Sequence, residues 1–175
     1  MHCGSVAGFS RIKELNLSEC IKLADEIIEL GCQETTFIGG EVFLYKGWEK
    51  IANHLTRHGV VVNLMSNGYK FNQKFIDQIQ FAGLSNIGIS LDGTPEFHNI
   101  IRGKLNSFSE IQNTFEMLNE ANIPIGVVTS IMELNYPVLE DLYQILIENR
   151  VNLWQLQLVR SEERRGGKEC RSRWW

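Results

Sequence analysis

Proline is scarce, with three in 175 residues, and no Pro/Ser-rich linker divides the chain. Four cysteines, Cys3, Cys20, Cys32 and Cys170, fall at no disulfide-like or zinc-like spacing, which argues against a disulfide scaffold. Long apolar runs are missing as well. Those present, such as Val60-Val61-Val62, are strand-sized, so the sequence holds no transmembrane helix. The opening MHCGSVAG has neither the basic region nor the apolar stretch of a signal peptide. What remains is ordinary: 43% apolar and 22% charged residues, enough to bury a core and unlike a disordered or collagen-like chain. The expectation is a soluble, cytoplasmic protein without membrane association.

The net charge of −4 hides a break. Residues 160–175 hold six basic and three acidic residues, leaving 11 basic against 18 acidic in residues 1–159. An acidic body argues against non-specific nucleic-acid binding, which needs basic surface to neutralise phosphates. The terminal RSEERRGGKECRSRWW has no apolar periodicity and closely resembles the conceptual translation of a sequencing adapter. The expected organisation is therefore one domain over residues 1–159 and a non-native tail over 160–175, the alternative being a genuine basic tail.

Helical and strand patterns alternate through the body. A helix is expected from residue 17, with Ser18 as N-cap and Gly31 as stop, then a short strand over residues 35–38. Further helices are expected over residues 47–58, 72–82, 107–121 and 137–149. Strands are expected over 60–65, 86–91, 125–131 and 152–159, rich in Val and Ile as parallel strands covered on both sides are. This is the βαβ beat of a parallel α/β domain. Periodicity alone leaves an open doubly wound sheet and a β/α barrel both standing.

In either architecture ligands gather at the carboxyl ends of the strands. There the sequence places Gly39-Gly40-Glu41, Ser66-Asn67-Gly68, Ser90-Leu91-Asp92-Gly93 and Thr129-Ser130. Paired glycines let backbone groups approach a ligand, and Glu41 can accept from an ammonium group or act as a general base. Asp92 can accept from ribose hydroxyls or cap the next segment. Gly-Gly and Asn-Gly are also ordinary turns. His54 and His58 have zinc-like i, i+4 spacing but no supporting Glu or Cys, and read as a solvated helix face. His98 and Arg102 fall in a polar loop. Cys20, Cys32, Trp48 and Trp154 read as packing residues.

Taken in order, His2-Cys3-Gly4, Gly39-Gly40-Glu41, Ser66-Asn67-Gly68 and GISLDGTPEFHNIIRG (residues 88–103) resemble the radical S-adenosylmethionine (radical SAM) superfamily. The resemblance is to members carrying a C-terminal SPASM or twitch auxiliary-cluster domain. It implies an α/β fold, a partial (βα)6 TIM-like barrel of parallel strands, with the first strand missing from this chain. It implies a [4Fe–4S] cluster and S-adenosylmethionine as cofactors, and an enzyme that makes a 5′-deoxyadenosyl radical to abstract hydrogen from a substrate. By position, Cys3 would be the third cysteine of a CxxxCxxC loop, whose second would precede Met1, and His2 would lie near the adenine. Gly39, Gly40 and Glu41 would bind the methionine amino group, with Ser66 and Asn67 beside it. Ser90 and Asp92 would address the ribose or carboxylate, Arg102 the carboxylate, and Val128, Thr129 and Leu156 the adenine. No residue is assigned as catalytic. Val42 stands where many members have Pro. The implied parent enzyme modifies a peptide or protein, with flavodoxin or ferredoxin as electron donor; the alternative is molybdopterin or haem cofactor biosynthesis. A non-redox nucleotide-binding domain, or an inactive fragment, is the reading from another class.

Overall fold

The computed structural model describes residues 13–158. His2, Cys3, Val159 and the tail lie outside them. Five strands, β1 (Glu34–Phe37), β2 (Val61–Ser66), β3 (Asn86–Ser90), β4 (Ile125–Ile131) and β5 (Leu153–Leu158), form one parallel sheet in the order β1-β2-β3-β4-β5. A doubly wound sheet reverses its strand order at a switch point, whereas this one never does. Right-handed crossovers between sequential neighbours put every connecting helix on the same face. The sheet curls under them into a half-barrel, as the resemblance implied.

The helices are α1 (Leu17–Glu29), α2 (Trp48–Arg57), α3 (Gln73–Ala82), α4 (Pro95–Arg102), α5 (Ser107–Glu120) and α6 (Leu139–Glu148). None among the described residues is long and apolar enough to cross a membrane. The core lies between helices and sheet, where Val62, Leu64, Ile87, Ile89, Ile125 and Val127 are buried. Against them pack Leu55, Ile79, Phe115 and Leu142 from the helices.

Three expectations change, the first two in the helices. The N-cap of α1 is Asn16, not Ser18: Asn16 accepts from the Glu19 N–H at 3.1 Å while Glu19 accepts from the Asn16 N–H at 2.8 Å. This capping box satisfies two otherwise orphaned donors at once, and Ser18 merely donates its hydroxyl to Asn16. The expected polar loop holding His98 and Arg102 is helix α4. Pro95 presets its first turn and Gly103 ends it in a left-handed conformation.

The concave face departs from a doubly apolar sheet. Successive side chains alternate faces, so the partners of the buried residues line the concavity. These include Glu34, Asn63, Asn86, Ser90, Ser130 and Gln155, none of them fully buried. An Asn63 to Glu34 hydrogen bond of 2.8 Å runs along this face. Parallel strands here meet an apolar helix layer outside and a polar hollow inside.

Candidate functional site

The rim is built first at β1. After Phe37 the chain passes through Ile38, 73% exposed, to Gly39, where a Cβ would meet no atom within 4 Å. That backbone stands open to a ligand. Glu41 then caps a 3-10 turn, Val42–Leu44. Val42 and Phe43 are buried, and Phe43 packs on Trp48, Phe71 and Phe75 with ring centroids 4.5–5.5 Å apart. This aromatic cluster anchors the turn that carries Glu41.

The Glu41 carboxylate reaches across to the end of β2. It accepts from the Ser66 hydroxyl at 3.0 and 3.1 Å and from the Asn67 N–H at 3.0 Å. Ser66 accepts in turn from the Gly68 N–H at 3.0 Å. Gly68 has φ +72°, and a Cβ there would press on Ile111 at 3.2 Å, so glycine is required on both counts. Burial raises the Glu41 pKa above the ordinary carboxylate value, and the hydrogen bonds from Asn67, Ser66 and Phe43 only partly oppose it. A desolvated carboxylate of this kind gains from a cation placed beside it.

At β3 the turn Leu91-Asp92-Gly93 is wholly buried, with Asp92 1% exposed. Its Oδ1 accepts from the Ser130 N–H at 3.0 Å, tying β3 to β4. Its Oδ2 meets Arg102 Nη2 at 2.7 Å, an ionic contact lying off the axis of a good hydrogen bond. The Asp92 N–H donates to His98 Nδ1 at 3.1 Å, and the Asp92 carbonyl accepts from Asn135 Nδ2 at 2.6 Å. Since Nδ1 accepts, the imidazole proton sits on Nε2, which donates to Ser107 at 3.1 Å. Burial first, and the Arg102 charge second, push His98 down to about 3.

Arg102 is partly open, at 29% side-chain exposure, yet its Nε is buried without a partner among the described residues. Ser90 faces the concavity, half-buried, and Val128 lies on the same face beside Gln155. The pleat turns Thr129 and Leu156 to the opposite, helix-facing side. There Thr129 donates to the Leu91 carbonyl at 2.6 Å and accepts from Trp154 Nε1 at 2.9 Å, while Leu156 is 48% exposed. Asn67 uses its side chain to accept from the Tyr69 N–H.

The structure thus brings Glu41, Ser66 and Asn67 together, and likewise Asp92 and Arg102, on one rim. Asn135 is a residue the sequence reasoning did not single out. It is fully buried, donates to the Asp92 and Ser130 carbonyls and accepts from the Met132 N–H. No short motif marks it. Asn63 and Gln155, also missed, are signalled only by polar residues alternating with apolar ones. His54 pairs with Asp25 at 2.6 Å, and His58 Nδ1 donates to the His54 carbonyl at 2.7 Å, in the last turn and at the C-cap of helix α2 respectively. Cys20 contacts the Tyr45 hydroxyl and Cys32 the Glu34 carbonyl. No group of three or more His, Cys, Asp or Glu able to hold a metal occurs among the described residues.

Comparison with known proteins bears on the family and the fold. The profile of the Radical SAM superfamily matches residues 1–146. The sporulation killing factor maturation protein SkfB of Bacillus subtilis (strain 168) is 29% identical over 142 residues, covering 81% of this chain and 35% of SkfB. The Fe-coproporphyrin III synthase of Methanosarcina barkeri (strain Fusaro / DSM 804) is 25% identical over 138 residues, covering 79% of this chain and 35% of the synthase. Among solved structures, anSMEcpe with bound AdoMet and Kp18Cys peptide superposes with TM-score 0.71 at 16% identity, over 84% of this chain and 44% of that one. The chain spans about a third of the length of the curated relatives it matches.

Proposed function

The chain belongs to the Radical SAM superfamily, and we propose that it is the cofactor-binding core of an enzyme that modifies a peptide. The observation that carries this reading is the rim's charge pattern. A desolvated carboxylate, Glu41, stands after β1, and a guanidinium, Arg102, stands over the end of β3. A carboxylate reaching over the end of β2 and a guanidinium beside the end of β3 complement the zwitterionic methionine end of S-adenosylmethionine.

In this reading Glu41 and the open backbone at Gly39 and Gly40 receive the ammonium, and Ser66 and Asn67 fix Glu41 in place. Arg102 receives the carboxylate, its planar fork suiting that group. Ser90 and Val128 border the nucleoside on the concave face, while Asp92, Thr129 and Leu156 contribute from behind. Cys3 is the third ligand of a [4Fe–4S] cluster, with His2 beside the adenine; thiolates suit such clusters. When bound, the cluster would supply the one electron that splits S-adenosylmethionine into methionine and a 5′-deoxyadenosyl radical, and that radical would take a hydrogen atom from the substrate. A flavodoxin or ferredoxin would deliver the electron.

A peptide substrate is supported by the name of SkfB and by the peptide bound to anSMEcpe. The Fe-coproporphyrin III synthase relative supports a second reading, a haem-type small molecule.

The test is anaerobic reconstitution with iron and sulfide, comparing the 175-residue chain with one extended upstream to complete three loop cysteines. The extended chain should yield cluster absorbance and form 5′-deoxyadenosine on reduction. The shorter chain should do neither, and Cys3→Ala should abolish both signals in the extended one. Glu41→Gln there should weaken S-adenosylmethionine binding about tenfold or more, the value of one charge-assisted hydrogen bond. Failure of the extended chain to bind the cofactor would overturn the assignment.

A further inference from the structure

We propose that Asp92 is a positioning residue, which does not touch the ligand but holds the Arg102 guanidinium ready for a ligand carboxylate. The proposal rests on the cofactor reading above and adds how one of its contacts is prepared. Asp92 is 1% exposed and held on three sides: its N–H by His98, its carbonyl by Asn135, its Oδ1 by Ser130. Only Oδ2 is left, and it faces Arg102 at 2.7 Å. A buried side chain so fixed has no freedom to reach a ribose.

Arg102 shows the complementary pattern. A guanidinium has five N–H donors in a rigid fork, and a carboxylate can take two in parallel. Asp92 does not take the fork in this way. The contact is through Nη2 and off-axis, and Nε is left buried and unpartnered. An unpaired buried donor is unfavourable, so an acceptor brought to it would be favoured. The side chain is still 29% exposed, so an acceptor can arrive. The fixed negative charge of Asp92 orients the fork, and a second carboxylate completes it.

The test is equilibrium dialysis of the reconstituted protein against three ligands. S-adenosylmethionine and S-adenosylhomocysteine carry the amino-acid carboxylate, whereas 5′-deoxy-5′-methylthioadenosine does not. Asp92→Asn should weaken the first two about tenfold and leave the third within twofold, because the loss is confined to the carboxylate contact. In an Arg102→Ala background, Asp92→Asn should change nothing further, an outcome that general loosening of the rim would not produce. Should Asp92→Asn fail to fold, Arg102→Lys serves: it keeps the charge beside Asp92 but lacks the fork, and should lose the same discrimination while its unfolding midpoint stays near wild type. Equal weakening of all three ligands, or additive losses in the double variant, would overturn the proposal. If the wild type binds none of the three, the cofactor reading itself fails.

Discussion

Acid should destabilise this fold through one residue above all, His98. The imidazole is 1% exposed, and its Nδ1 accepts the Asp92 N–H. A proton added to Nδ1 would face that donor and leave the Asp92 N–H without an acceptor, with Arg102 nearby. Burial first, and the Arg102 charge second, lower the His98 pKa from an ordinary 6.5 to about 3. Between those values the unfolded chain carries the proton and the native one does not, so stability rises with pH across the window. His98's contribution is fully present above 6.5 and is lost as pH falls towards 3. The slope approaches about 1.4 kcal/mol per pH unit, so around pH 5 the loss is on the order of 2 kcal/mol. Urea unfolding of the wild type and of His98→Gln, from neutral pH down to about pH 5, isolates this effect. Glutamine can accept from Asp92 and donate to Ser107 but does not titrate. Other carboxylates and histidines act alike in both proteins and cancel in the difference. The stability gap should therefore move in favour of His98→Gln as pH falls. A gap that stays constant over that range would refute the reasoning.

Two further predictions concern the scaffold. A Cβ on Gly88 would fall on the Met65 sulfur, which lies over that glycine on the concave face. The Met65 thioether is the flexible end of a half-buried side chain and can swing aside into the concavity, so Gly88→Ala should cost less than about 1 kcal/mol by urea unfolding; a loss of several kcal/mol would mean that Met65 cannot move. Asn16→Ala removes the capping box of α1 and should cost about 1 kcal/mol, seen as a fall of a few degrees in the unfolding midpoint. An unchanged midpoint would mean that α1 does not depend on its cap.

The strands were legible because Val and Ile cluster in short runs between turn residues. Ile125–Ile131 matches its expected bounds, and the other strands shift by a residue or so. The first helix cap was misplaced because Asn16 and Ser18 both suit an N-cap, and only backbone dihedrals and the reciprocal Glu19 bond decide between them. Helix α4 was missed since Pro95–Arg102 makes barely two turns and shows too few apolar positions for a period to emerge. The polar concavity was partly visible in Val62-Asn63-Leu64-Met65, but the Val-rich strands invited a reading of apolar faces on both sides. Glu41 stood out through the glycines before it. Its lashing to Ser66, and the Asp92–Arg102 pairing, join residues distant in sequence whose meeting depends on which way each strand end turns.

The same partnerships explain how an acidic body keeps a discriminating rim. Several groups at the rim are fixed from behind by bonds within the fold. Glu41 is held by Ser66 and Asn67, Asp92 by His98 and Asn135, and the Leu91 carbonyl by Thr129, itself held by Trp154. These tethers tie the end of β1 to that of β2, and the end of β3 to β4 and through Trp154 to β5, so the geometry within each group is set at folding rather than at binding. A ligand then meets charges already aimed, and it need not spend its own binding energy on ordering them. The corollary is that Asn135 and Thr129 stiffen the rim through bonds inside the fold, whereas Asn63, bonded to Glu34, and Gln155 line the concave face.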